Sequence, residues 1–269
     1  MVNQKQAPLD QNKNIDQSKD LVEITYYTDP LCCWSWAFEP QWRRLQYELR
    51  GKLSVRYCMG GLIADWKNFN DEVNSISRPF QMGSLWAQAQ NVSGMPIQDL
   101  IWINDPPATS YPACIAVKCA GIQSRYAEQK FLRYVREAIM LHGLNIAKQI
   151  LLFDIAKTVE AEGIDFNTDR FINDFISGAG ADAFRKDLQE VKYKNINRFP
   201  TLTISVSGKR GVIITGYRPY PVLNDAIKQI VNTTNTDDKI DIDDYKQFFG
   251  NLMQREIDEI KFDSIPGRI

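Results

Sequence analysis

The chain has 269 residues, 44% of them hydrophobic and 24% charged, which supplies one large core or two modest ones and excludes disorder, collagen and coiled coil. Lys plus Arg number 32 and Asp plus Glu 33, so the net charge is −1 and no global field favours nucleic acid or an acidic membrane surface. No apolar run approaches the roughly 18 residues of a membrane span, and residues 1–20 hold no apolar signal stretch. The expectation is therefore a cytoplasmic protein with no nucleic-acid or membrane partner and a disordered tail over 1–20. Its five cysteines are an odd, unpatterned set that does not suit a structural disulfide framework.

Leu21 to Thr28 (LVEITYYT) is β-branched and aromatic and is closed by Asp29-Pro30, which predicts a first strand. From Ser35 to Arg50, Phe38, Trp42, Leu45 and Leu49 recur at helical spacing and Gly51 ends the run, predicting one helix. Lys52 to Met59 predicts a second strand stopped by Gly60-Gly61, and strands joined through a helix in this way lie parallel. Residues 62–110 are irregular, with a helix predicted near Pro79 to Asn91. Tyr111 to Arg125, Ala127 to Leu141, Ile146 to Glu162, Thr168 to Ser177 and Ala181 to Lys194 follow as helices set off by Gly143, Gly163 and Gly178. Thr201 to Val206 and Val212 to Thr215 predict a hairpin across a turn at Ser207 to Gly211. Pro221, at an N1 position, starts a helix with Leu223, Ala226, Ile227, Ile230 and Val231 on one face. Asn232 to Asp244 reads as a polar, acidic linker; its Asp241, Asp243 and Asp244 lack the Gly and Glu of a calcium loop. Tyr245 to Ile260 predicts an amphipathic terminal helix that docks on its own domain, with a groove partner or dimer contact as the alternative.

A thiol in the turn between a first strand and its helix meets unpaired amides and a partial positive charge, both of which favour thiolate. Cys32, within Asp29-Pro30-Leu31-Cys32-Cys33-Trp34-Ser35-Trp36, holds that place and is predicted to be a nucleophile of lowered pKa at the C-terminal edge of the sheet. A dithiol motif needs a second Cys one helical turn on; that position is Ser35, which can hydrogen-bond a thiolate but cannot resolve a disulfide. Cys33 is too near for an ordinary bond to Cys32, since neighbouring Cα atoms are about 3.8 Å apart and disulfides need at least about 4.4 Å. Cys58, closing the second strand, is the better intramolecular candidate, with a buried core thiol as the competing reading. Cys114 and Cys119 read as core, and His142 as a helix-end residue. No P-loop, G-x-G-x-x-G, G-x-S-x-G or zinc spacing occurs.

Together with Arg198-Phe199-Pro200-Thr201 at the entrance to the hairpin, this order of strand, Cys-bearing loop, helix, helical block and hairpin resembles the DsbA-like branch of the thioredoxin superfamily from about Val22 to Val231. The resemblance implies an α/β thioredoxin fold, discontinuous over 21–61 and 196–234, with an all-helical insertion at 62–195 and a linker plus C-terminal amphipathic helix at 235–269. It implies Cys32 as nucleophile and Phe199-Pro200 as a cis-proline loop that, with Thr201, offers backbone groups to an extended substrate. Ser35 would stabilise the thiolate, Trp34 and Trp36 would supply apolar surface near the site, with core packing as the competing reading for both, and Cys33 and Cys58 complete the candidate thiols. Ser110-Tyr111-Pro112-Ala113-Cys114-Ile115-Ala116-Val117-Lys118, with Ile101-Trp102 upstream, looks like the predicted disulfide-isomerase group and its cytosolic Spx-adaptor relatives. Cys32-Cys33-Trp34-Ser35-Trp36 is also similar to the active-site segment of kappa-class glutathione transferases and chromene-carboxylate isomerases, whose first residue is Ser. The expected function is monothiol exchange on a protein or peptide disulfide, with no bound cofactor or metal and glutathione or another external thiol as co-substrate. The alternatives are a protein-binding adaptor and a glutathione-dependent transferase or isomerase.

Overall fold

The computed structural model describes residues 21–206, 211–230 and 240–261; the tail predicted at 1–20, the hairpin turn at 207–210 and most of the predicted linker lie outside them. β1 (Val22–Thr28) leads through a loop to α1 (Cys33–Ala37) and then α2 (Glu39–Glu48), so the helix predicted as one is two. Pro40 is the reason: it has no N–H to donate and its ring crowds the carbonyl four residues back, so the helix restarts at Phe38. β2 (Leu53–Met59) follows, then α3 (Met82–Ser93), stopped by Gly94 at φ +74°, and the one-turn α4 (Ile101–Asn104). The helical block continues through α5 (Tyr111–Gln123), α6 (Arg125–Met140), α7 (Gln149–Ala161), α8 (Thr168–Ile176) and α9 (Ala179–Tyr193). β3 (Thr201–Val206) and β4 (Val212–Thr215) form the hairpin, and α10 (Tyr220–Lys228) has Pro221 in its second position, one later than predicted. The terminal helix is also divided, into α11 (Ile242–Phe249) and α12 (Gln254–Lys261), with Gly250 at φ +77° after the first. Asp241, assigned to the linker by sequence, caps α11 by accepting from the N–H groups of Asp243 and Asp244.

The four strands lie in the order β2-β1-β3-β4, with β1 parallel to β2 and antiparallel to β3, and β3 antiparallel to β4. Register sorts the side chains. Tyr26 stands beside Tyr57 and Leu202 on the face covered by α2, where Trp42 meets Tyr26 and Tyr57 edge-on and donates to the Tyr57 hydroxyl. Tyr27, one residue on, stands beside Cys58 and Thr201 on the other face, and its hydroxyl donates to Glu190 of α9. This is the DsbA-like thioredoxin fold, a mixed sheet with a helical insertion between its halves and a C-terminal helical addition. Among the described residues no helix is long and apolar enough to cross a membrane.

Candidate active site

The loop after β1 delivers Cys32 to the N-cap of α1, where its sulfur accepts from the Ser35 N–H at 3.4 Å. Its thiol faces the Phe199 carbonyl oxygen at 3.6 Å, across 167 residues of chain, and the Phe199–Pro200 peptide is cis. Above the sulfur opens a cleft of about 790 Å³ whose floor includes Leu31, Trp34 and Phe199. Ser35 is fully buried and its hydroxyl has no hydrogen-bond partner among the described residues, while its nearness to the Cys32 sulfur favours the thiolate. The lowered pKa expected for Cys32 does not follow from this geometry. Burial pushes the thiol up; the Ser35 hydroxyl and N–H pull it down, the Asp29 carboxylate pushes it up, Arg136 pulls it down, and the net direction is upward. The sulfur-bearing residue is 6% exposed and α1 has five residues, so the helix terminus acts against a strong desolvation.

The other sequence candidates divide. Trp34 is half-buried, lines the cleft and lies 6.0 Å from the Tyr217 ring. Trp36 is not substrate surface: it is fully buried, donates to the Pro96 carbonyl and stacks against the Arg133 guanidinium. Cys33 points away from Cys32 towards the Leu85 carbonyl of α3, and burial drives its thiol well up. Cys58 is not brought to Cys32 either. It lies on the α9 face, donating to the Asp187 carbonyl among Asp187, Glu190, Arg56 and Lys118, whereas the charges that act most on Cys32 are Asp29 and Arg136. Alternation along β2 is the cause, because it sends Tyr57 and Cys58 to opposite faces. Thr201 is spent on structure: its hydroxyl donates to the Arg198 carbonyl and its side chain is buried. Pro200 is held by the Gly216 N–H, which donates to its carbonyl at 2.7 Å.

Three residues that support the site escaped the sequence reading. Asp29, seen there only as a strand stop, is fully buried and accepts from the N–H groups of Leu31 (2.8 Å) and Leu62 (2.7 Å), the Ser110 hydroxyl (3.0 Å) and the Cys114 thiol (3.3 Å). It ties the Cys32 loop to the exit of β2 and the start of α5. Arg136 of α6 reaches the Thr28 hydroxyl at the end of β1 and pairs with Glu39 at 3.0 Å. Gly60, read as a strand terminator, is where the Phe199 ring lies: a Cβ there would come within 1.9 Å of it. The Gly60-Gly61 pair was legible as a strand stop, but its packing against Phe199, like most contacts of Asp29 and Arg136, is made to residues distant in the chain.

Residues 26–225 match the family model described as Thioredoxin. The chain belongs to the thioredoxin family. Among curated relatives it is 29% identical over 203 residues to the ClpXP adapter protein SpxH of Halalkalibacterium halodurans, a match covering 75% of this chain and 65% of that protein. The chain thus matches about two-thirds of the length of that relative. Among solved structures, one from Nitrosomonas europaea assigned as a protein disulfide isomerase superposes with TM-score 0.64 at 22% identity, covering 78% of this chain and 97% of that one. The cytosolic disulfide reductase DsbM of Pseudomonas aeruginosa superposes with TM-score 0.56 at 19% identity, covering 71% and 88%. These likenesses establish the shared fold.

Proposed function

We propose that this protein performs thiol–disulfide exchange through a single attacking sulfur, that of Cys32. The observation that carries this reading is that Cys32 lines a cleft with its sulfur beside the carbonyl of the residue preceding a cis-proline. The Cys32 thiolate attacks one sulfur of a substrate disulfide, a mixed disulfide forms, and the other substrate sulfur leaves as a thiolate. An external thiolate, with glutathione as the candidate, then attacks the mixed disulfide and frees Cys32. Ser35 supports the thiolate with its N–H and its otherwise unpartnered hydroxyl, and the loop at Phe199 and Pro200 offers backbone to a substrate lying as an added strand. Release depends on the external thiol because Ser35 has no sulfur and Cys33 and Cys58 face elsewhere. The cytosol, where reduced glutathione is plentiful, suits this chemistry.

A second reading has its own support. The upward shift of the Cys32 thiol and the SpxH name of the relatives favour a protein-binding adaptor in which the same cleft seats a partner segment without exchange. The deciding experiment is intact mass after incubating the reduced protein with oxidised glutathione, followed by peptide mapping. One glutathione on Cys32 is the expected result. An unmodified Cys32 would move the assignment to the adaptor, and a Cys32–Cys58 bond would replace the external resolver with an internal one.

A further inference from the structure

The cleft beside Cys32 is lined by both charged and apolar side chains. Arg198, immediately before Phe199, and Arg218, immediately after Tyr217, both line it and are exposed. They converge on Gly216: a Cβ built there would lie 3.5 Å from Arg198 Cδ and 3.9 Å from Arg218 Nη1. Gly216 holds φ +75° and donates its N–H to Pro200, so the turn that gathers the arginines is tied to the cis-proline loop itself. Among the described residues neither guanidinium has a carboxylate within 4.0 Å, and Arg218 makes one bond, to the Tyr217 carbonyl. Two like charges brought near one turn, with no counter-ion among the described residues, form a site that favours an anion. Asp71 and Glu72 also line the cleft; Asp71 is occupied by the N–H and side-chain amide of Asn74. Leu31, Phe69, Leu85 and Phe199 supply apolar lining.

We propose that the ligand of this cleft is an extended peptide with a carboxylate side chain beside its cysteine, seated on Arg198 and Arg218, with apolar neighbours on the cleft floor. Charge complementarity selects the ligand, and the carboxylate fixes which way the cysteine faces Cys32. For the reacting cysteine the inference rests on the exchange reading; for binding alone it does not. The test uses the full chain with Cys32→Ser and fluorescent peptides that differ only in the residues flanking an S-methylated cysteine: Asp, Asn or Lys. Anisotropy titrations are expected to give about tenfold tighter binding for the Asp peptide than for the Asn peptide, weakest binding for the Lys peptide, and a smaller acidic advantage at high salt. Arg198→Gln with Arg218→Gln, both at exposed positions, should reduce the Asp-over-Asn ratio to less than threefold while melting as the parent does. Equal binding of the Asp and Asn peptides, or an acidic preference untouched by the two substitutions, would overturn the proposal. A companion measurement separates it from the exchange reading: the rate at which Cys32 of the otherwise natural chain opens a dianionic aryl disulfide relative to a neutral dipyridyl one. A ratio that falls in the arginine variant supports both. No reaction with either disulfide, alongside a retained peptide preference, removes exchange and leaves the peptide site; reaction at a ratio indifferent to the arginines leaves exchange and removes the site.

Discussion

At the scale of single residues, the chemistry of Cys32 is set by competition between burial and a few polar neighbours. The thiol stands above its ordinary value of 9.0, so thiolate is the minor form at neutral pH and reactivity must climb with pH. The rate of Cys32 alkylation is expected to rise about tenfold per pH unit and to keep rising past pH 9, and a plateau below pH 8 would contradict the geometry. Asp29→Asn should act in two directions. It puts an amide donor among four donors, costing about 1–3 kcal/mol of stability in urea unfolding. It also removes a negative charge next to Cys32, so the alkylation profile should move to lower pH. A variant that is merely less stable, with its profile unmoved, would refute the electrostatic part. Sequence gave the position of Cys32 and the missing second sulfur, because both are local. The sign of its pKa shift was illegible, since desolvation depends on what α3, α6 and the Phe199 loop place around the sulfur. Asp29 and Arg136 were illegible for the same reason: their roles are contacts with Ser110, Cys114, Thr28 and Glu39, far away in sequence.

At the scale of elements, the strands were legible from β-branched and aromatic runs closed by Gly or Pro, and the longer helices from apolar periodicity over ten residues or more, which outvoted the breaks within them. Pro40 and Gly250 were visible as breakers, yet the apolar spacing runs across both. The one-turn α4 has no period to read. Contacts between elements then decide the site. The end of β2 must pass close under the Phe199 ring, and Gly60 permits it: its N–H donates to Thr28 at 2.7 Å while its α-carbon faces the ring. Gly60→Ala is expected to push Phe199 from its seat, cost about 1–3 kcal/mol in unfolding free energy, and slow exchange at Cys32 by changing the carbonyl that faces the sulfur. Unchanged exchange kinetics in a folded Gly60→Ala protein would show that the Phe199 carbonyl does not position substrate.

At the scale of the whole molecule, the family match ends at residue 225, before α11 and α12, and no cleft-lining residue belongs to them, although Arg255 and Glu259 of α12 stand beside the lining residue Tyr217. What these helices supply is cover for α2 and α6. Glu256 of α12 is wholly buried between Arg133, which it grips with both oxygens at 2.8 and 3.1 Å, and Arg43 at 3.3 Å; Glu39 stands on the far side of both arginines. Tyr245 and Phe249 of α11 bury Tyr47 of α2 in a second, smaller apolar cluster. Removing one partner of a buried ionic set is severe because the remaining charge keeps its desolvation cost, so Glu256→Gln should lower stability by about 3–5 kcal/mol. Ending the chain at residue 230 should cost less than the sum of the two losses, because Arg43 and Arg133 regain water when α12 is absent, but it exposes Tyr47 and promotes self-association. The acidic-peptide preference of the cleft should survive truncation, since every residue lining the cleft lies between Leu31 and Arg218. Loss of that preference in a folded, monomeric truncation would show that the terminal helices shape the site as well as stabilising the scaffold around it.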